Sequence, residues 1–173
     1  MSDYSDCIIY SENQEFMPGN TVKWISNIDN RPGFEGNYSM HWHMPFDETQ
    51  VPAPPAGQRV VGHPPHMHKE NELMFLFGSN PEDPYDLGVE VEICLGPEMQ
   101  KFTITRSCCI RIPGGTPHGF FNINRCWKPW IFVQVQEGNP KTEKFLWEYL
   151  TQEEIDSIPE RLRPLWVDVG FDE

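Results

Sequence analysis

Polar and apolar residues alternate along the middle of this chain with the period of two that marks a half-buried strand. Residues 89–95, Val-Glu-Val-Glu-Ile-Cys-Leu, set apolar positions against two carboxylates, so one face packs and the other meets water. Residues 102–105 alternate in the same way, 108–112 are rich in β-branched side chains, and 118–122 and 130–135 complete the series. Residues 72–77, Glu-Leu-Met-Phe-Leu-Phe, form a nearly continuous apolar run, stopped by Gly78 and followed by Ser-Asn-Pro-Glu-Asp-Pro. That pattern reads as a buried strand and a long, turn-rich loop. Strands this short and regularly spaced predict an all-β sandwich or barrel.

The two ends differ from the middle. Residues 1–50 are broken by Pro18, Gly19, Pro32, Gly33 and Gly36 around short apolar pieces such as 22–25, and they read as an N-terminal extension supplying one or two edge strands. Pro52, Pro54, Pro55 and Gly57 form a stiff connector at the start of a barrel core over 51–137. After Gln136 the alternation stops. Thr151-Gln152-Glu153-Glu154 fits a capping box, and Ile155, Ile158 and Leu162 mark a helical face interrupted at Pro159. A short C-terminal helix is expected within a tail over 138–173.

At 173 residues the chain suits a single domain. Its 26 Asp and Glu against 13 Lys and Arg leave a net charge of −13. Nucleic acids and anionic membranes are thereby excluded as partners, because binding them rests on cation–phosphate contacts. Acidic residues stand where a signal peptide is basic, and no apolar stretch approaches the ~20 residues of a membrane span. A soluble cytoplasmic protein is the expectation. The five cysteines are odd in number and form no CxxC pair, so they read as reduced thiols, with Cys108 and Cys109 on opposite faces of one strand.

Chemistry concentrates in His66-Met67-His68-Lys69-Glu70-Asn71-Glu72. On a strand His66, His68 and Glu72 share one face, with Glu70 a weaker alternative nearer the turn. Two imidazoles and a carboxylate so placed leave positions open on a divalent first-row metal. A third histidine, His118, follows a turn shaped by Pro113, Gly114, Gly115 and Pro117.

These two stretches resemble the two motifs of the cupin superfamily, HxH then Glu after three residues, and PxG then His after two and Asn after three more. Here they are His66, His68 and Glu72, then Pro113, Gly115, His118 and Asn122. The resemblance implies a small antiparallel jelly-roll β-barrel in which His66, His68, Glu72 and His118 hold one metal ion. The chain departs from the pattern at Val60, where the first motif opens with glycine and Gly62 stands nearby. It departs again at Gly78, one residue early, and at Ser107, where the second motif opens with glycine. These differences fall in turns, not on ligands. The excess length between the motifs lies in residues 80–87, a loop placed to rim the pocket.

Other residues read two ways. His41-Trp42-His43 followed by Asp47 repeats the spacing of the first motif, but Pro45 interrupts it; His41 and His43 either touch substrate or pack. His63 reads as structural. Glu90 and Glu92 share a face that is either solvated or turned to the cavity, where one of them serves as a general base or orients a ligand. Gln134 and Gln136 pose the same question, and exposed alternating glutamines are the commoner case. Glu90, Gln134 and His41 are the pocket candidates beside the metal ligands. Met74, Phe120 and Phe132 are assigned to the core or cavity lining, and Asn122 to the turn and barrel packing.

The resulting expectation is a cupin holding one divalent ion, Fe2+, Mn2+, Ni2+ or Zn2+, and acting on a small molecule with dioxygenase-type chemistry. Redox-neutral isomerase or lyase chemistry and non-catalytic ligand binding are the alternatives. A homodimer is expected, as for strand-rich barrels that pair their sheets.

Overall fold

The computed structural model describes residues 22–29, 37–46, 62–138, 141–158, 160 and 162–171. Cys7, Asp47, the connector at 52–57 and Val60 lie outside them. Among the described residues, ten strands form two antiparallel five-stranded sheets: β1 (Val22–Asp29), β2 (Asn37–His43), β9 (Trp130–Gln136), β4 (Glu72–Gly78) and β7 (Cys108–Ile112) in one, and β10 (Lys144–Phe145), β3 (His66–Met67), β8 (His118–Cys126), β5 (Asp86–Leu95) and β6 (Gln100–Arg106) in the other. The expected strands are present. Between the sheets pack Leu76, Leu87, Val89, Val91, Ile93 and Trp130, all wholly buried, together with Met74, Ile112 and Phe132. This is the two-sheet jelly roll that the motifs imply.

Two features of register position the site. The first corrects the reading of the N-terminal region. β1 is an edge strand, whereas β2 lies between β1 and β9, with Ser39 opposite Gln134, His41 opposite Phe132 and His43 opposite Trp130. Its inward residues therefore line the barrel. The second is a β-bulge on β8: Glu92 pairs Asn122 while Cys94 pairs Gly119, so β8 carries one residue more than its partner. The bulge reverses the face on which side chains fall. Phe121 turns inward against Phe132, with ring centroids 5.2 Å apart. Phe120 instead packs in a second core cluster with Cys94 of β5 and with Leu150 and Ile158 of the tail, in keeping with its assignment to the core or cavity lining. Phe120 takes a φ of +48°, a conformation costing about 1 kcal/mol in a residue with a Cβ, and its N–H donates to the His63 carbonyl at 2.8 Å.

The tail closes over this region. β10 pairs with β3, Lys144 opposite Met67 and Phe145 opposite His66, and is held from behind by paired backbone bonds between Glu143 and Val169. Helix α1 (Gln152–Ser157) starts with the capping box expected at Thr151 and Glu154. Among the described residues no helix is long and apolar enough to cross a membrane. Cys108, Cys109 and Cys126 are free thiols, and Cys108 packs toward the core while Cys109 is exposed.

Loop 80–85 does not rim the ligand end. It leaves β4 at Gly78, six residues from Glu72, or roughly 20 Å at a strand's rise. Asn80 and Asp83 side chains fold it onto itself by accepting from Glu82 and Tyr85 N–H groups.

Candidate metal centre

His66 on β3, His68 just after it, Glu72 opening β4 and His118 opening β8 meet at one end of the barrel. One ligand atom from each lies within 4.8 Å of every other, and all four residues are almost wholly buried, from 0% exposed for Glu72 to 4% for His66.

Each imidazole is oriented by its Nδ1. His66 Nδ1 lies 2.8 Å from the Pro64 carbonyl, His118 Nδ1 2.9 Å from that of Thr116, and His68 Nδ1 2.5 Å from that of Thr142. A carbonyl only accepts, so Nδ1 carries the proton and Nε2 presents its lone pair. Two of these devices are local and alike. In Pro64-Pro65-His66 and Thr116-Pro117-His118 the accepting residue precedes a proline, which confines it to extended conformations, and the ligand follows. The third carbonyl, from Thr142, comes from the tail.

Glu72 is the convergence point. Its Oε2 stands 2.9 Å from His118 Nε2 and 3.8 Å from His68 Nε2, while its Oε1 accepts from Gln134 Nε2. Burial opposes ionisation of this carboxyl, but the pairing with His118, then His68 and Gln134, outweighs it and holds the group below the ordinary carboxylate range. Burial, reinforced by His118, His63 and His68, keeps His66 neutral, its pKa well below the usual value. Burial also lowers that of His68, against the pull of Glu72.

The donor set fits a divalent cation. Glu72 Oε2, His68 Nε2 and His118 Nε2 are buried without hydrogen-bond partners, and lone pairs facing one another at such distances repel unless positive charge lies between them. A proton on His118 serves one pair and leaves His68 Nε2 unpartnered; a metal ion serves all the donors at once. The mixture of imidazole and carboxylate suits the first-row divalent ions.

The surrounding residues sort cleanly. Gln134 faces inward to Glu72, in keeping with its place among the pocket candidates and unlike the commoner exposed glutamine. Gln136 is also inside, 1% exposed, and donates to the Thr142 carbonyl at 3.3 Å. Glu90 is corrected. Val89, Val91 and Ile93 take the inward parity of β5 with no exposure, which leaves Glu90 to accept from Asn124 at the surface, 3.2 Å away, and Glu92 to pair with Lys101 at 3.0 Å. Glu70 accepts from the Thr142 hydroxyl instead of joining the cluster. Asn122 accepts from the Gly62 N–H at 2.8 Å, and a side chain at Gly62 would collide with the Phe121 carbonyl. Gly62 thus takes a close-packed place beside the second motif.

His41 and His43 line the β2 wall and make no metal cluster among the described residues. The His43 ring stacks on Trp130, centroids 4.3 Å apart, and His41 lies 5.6 Å from the Phe132 ring. Burial lowers the His41 pKa to about 4; burial and then His41 lower that of His43 to about 3. His63 forms a second grouping with His66 and Glu143, but it shares His66 with the first. Thr142 and the Pro64 and Thr116 carbonyls escaped the sequence reading. The repeated proline before a histidine was the available signal for the two local ones.

No family model matches the chain, and no curated protein is similar to it in sequence. Solved structures are similar to it at low identity. The polyketide cyclase RemF from Streptomyces resistomycificus aligns at 16% identity and a TM-score of 0.45, over 79% of this chain and 77% of that one. An oxalate oxidase aligns at 14% and 0.46, over 97% and 74%. A sugar phosphate isomerase from a cupin superfamily of Silicibacter pomeroyi aligns at 15% and 0.41, over 76% and 73%. Two antiparallel sheets enclosing the four residues that the two ordered motifs deliver give this chain the cupin jelly-roll fold.

Proposed function

We propose that the protein is a mononuclear metal-dependent cupin enzyme, built as one domain, that holds a small molecule in its barrel and acts on it with dioxygenase-type chemistry. The observation that supports this reading is the buried convergence of His66, His68 and His118 Nε2 on an ionised Glu72. A bound ion supplies Lewis acidity and, as Fe2+ or Mn2+, one-electron redox capacity.

The chain's own residues prepare the site. Gln134 ties down one Glu72 oxygen and leaves the other for the cluster. Thr142 and the X-Pro-His turns hold each imidazole in the tautomer that ligates, which raises metal affinity because no reorientation is needed on binding. Beyond the cluster, the inward face of β2 and β9 carries Ser39, His41 and Gln134, uncharged groups suited to orienting hydroxyl or carbonyl oxygens. Met74 and Phe132 on the same sheet and Phe121 on β8 of the facing one are apolar. Such a lining favours a compact, oxygen-bearing, largely apolar molecule and excludes water from it.

The test is oxygen uptake by anaerobically purified, Fe(II)- or Mn(II)-loaded protein across a panel of small oxygenated aromatic and hydroxy-acid compounds. Substrate-dependent uptake that disappears in Glu72→Gln is the expected result. Tight binding of panel compounds with no uptake for any of them overturns the dioxygenase assignment.

A further inference from the structure

Strand β2 is polar on its inward side along its whole length. Asn37, Ser39, His41 and His43 share the inward parity, while Tyr38, Met40 and Trp42 take the outward one. Asn37, Ser39 and His43 are buried, none more than 8% exposed. The stripe starts beside the metal centre, where Asn37 pairs Gln136 and Gln136 pairs Glu72, and it ends at His43 opposite Trp130. From Ser39 to His43 it runs four residues, or roughly 13 Å at a strand's rise.

Metal binding accounts only for the near part of the stripe. Ser39 donates to Gln134 Oε1 at 3.5 Å, and Gln134 donates to Glu72. His43 has no such role. Its Nδ1 and Nε2 are both buried without a hydrogen-bond partner, and its ring is fixed, stacked on Trp130 with centroids 4.3 Å apart and edge-on to Phe132 at 6.3 Å. His41 stands next along the stripe, the two ring centroids 5.9 Å apart. A neutral imidazole offers one N–H and one lone pair, and burying both unpaired is costly. The group that satisfies them is a donor and an acceptor at once, as a hydroxyl is.

Charge narrows the choice. Burial holds His41 and His43 unprotonated at neutral pH, with pKa values of about 4 and about 3. Among the described residues no Lys or Arg is buried, so an anionic group at this depth loses its hydration and meets no counter-charge. The neighbouring side chains, Trp130, Phe132 and Phe121, are aromatic and suit the face of a flat ring. We propose that His43, with His41 beside it, binds an uncharged hydroxyl at the end of the substrate distal to the metal, so that the site selects flat molecules about two fused rings long and rejects those whose far end is anionic. This inference rests on the metal-dependent reading above and names its substrate class.

Calorimetry on the Zn(II)-loaded full chain, its metal content measured on the same sample, tests this. Three probes share a carboxylate for the metal end and differ only at the far one: 6-hydroxy-2-naphthoate carries a hydroxyl there, 2-naphthoate a hydrogen and naphthalene-2,6-dicarboxylate a second carboxylate. The hydroxyl probe is expected to bind about 10-fold more tightly than the hydrogen one and about 100-fold or more above the dicarboxylate. His43→Phe keeps the stack on Trp130 and removes both nitrogens, and the hydroxyl and hydrogen probes then bind alike. His43→Gln restores a donor and an acceptor and returns part of the preference. Unchanged far-UV circular dichroism and zinc content show that the variants fold. Either of the other probes binding as tightly as the hydroxyl one, a hydroxyl preference that survives His43→Phe, or no binding of any probe to zinc-loaded protein overturns the proposal. Zinc is redox-inert, so these outcomes read recognition alone; a chain that takes up no metal overturns instead the reading on which the proposal rests.

Discussion

The two sheets distribute polarity between their faces differently. On β5, Val89, Val91 and Ile93 point inward with no exposure while Glu90 and Glu92 meet solvent, the ordinary arrangement of a half-buried sheet. On β2, β9 and β4 the interior receives Ser39, His41, Gln134, Gln136 and Glu72 beside Met74, Leu76, Trp130 and Phe132, and the exterior receives Met40, Trp42, Val133 and Phe75. Burying polar groups and exposing apolar ones both cost free energy, so a sheet that does both is serving something other than its own stability. The inward inversion marks the candidate metal centre.

Breaking the inward inversion has the largest expected effect. Glu72→Gln removes the one anionic donor and leaves three neutral imidazoles, and His118→Ala opens the cluster. Both variants should lose stoichiometric metal, read by elemental analysis, while keeping the strand signal in circular dichroism.

Acidification probes the buried wall of β2. His41 and His43 have folded pKa values of about 4 and about 3, below the ~6.5 of an unfolded histidine. The unfolded chain therefore takes up protons first as pH falls, and stability drops below about pH 6.5 by roughly 1.4 kcal/mol per pH unit for each histidine until its folded pKa is reached. Thermal unfolding at pH 7 and pH 5 should show this loss, and His43→Phe, stacking on Trp130 without a titrating group, should reduce it.

Smaller effects sharpen the comparison. Gln134→Leu frees Glu72 Oε1 and should weaken metal binding about 10- to 100-fold, as measured by competition with a chelator. Thr142→Val removes the hydroxyl that joins Glu70 to the segment holding His68 and should weaken it less. Glu92→Lys, on the conventional sheet, should change stability by no more than ~0.5 kcal/mol.

The inversion also explains what the sequence made legible. The spacings of His66, His68, Glu72 and His118 are local, so the ligands and the jelly roll could be read from two short motifs. Alternation reports that a strand has two faces and is silent about which is inside. The default, apolar inward, places Glu90 correctly and Gln134 and Gln136 wrongly, because β9 is one of the inverted strands. The position of β2 depends on pairing with β9, 95 residues away at Ser39 and Gln134, and the Thr142 carbonyl reaches His68 across 74 residues. The β8 bulge that moves Phe120 out of the barrel arises from pairing with β5, which no local pattern encodes.

The most direct test of the central claim is the metal content of anaerobically purified wild-type protein beside His68→Ala. The account predicts about one first-row divalent ion per chain in the wild type, as four convergent donors require, and its loss in the variant. Wild-type protein that stays metal-free after reconstitution, or an equal metal content in both proteins, would contradict it.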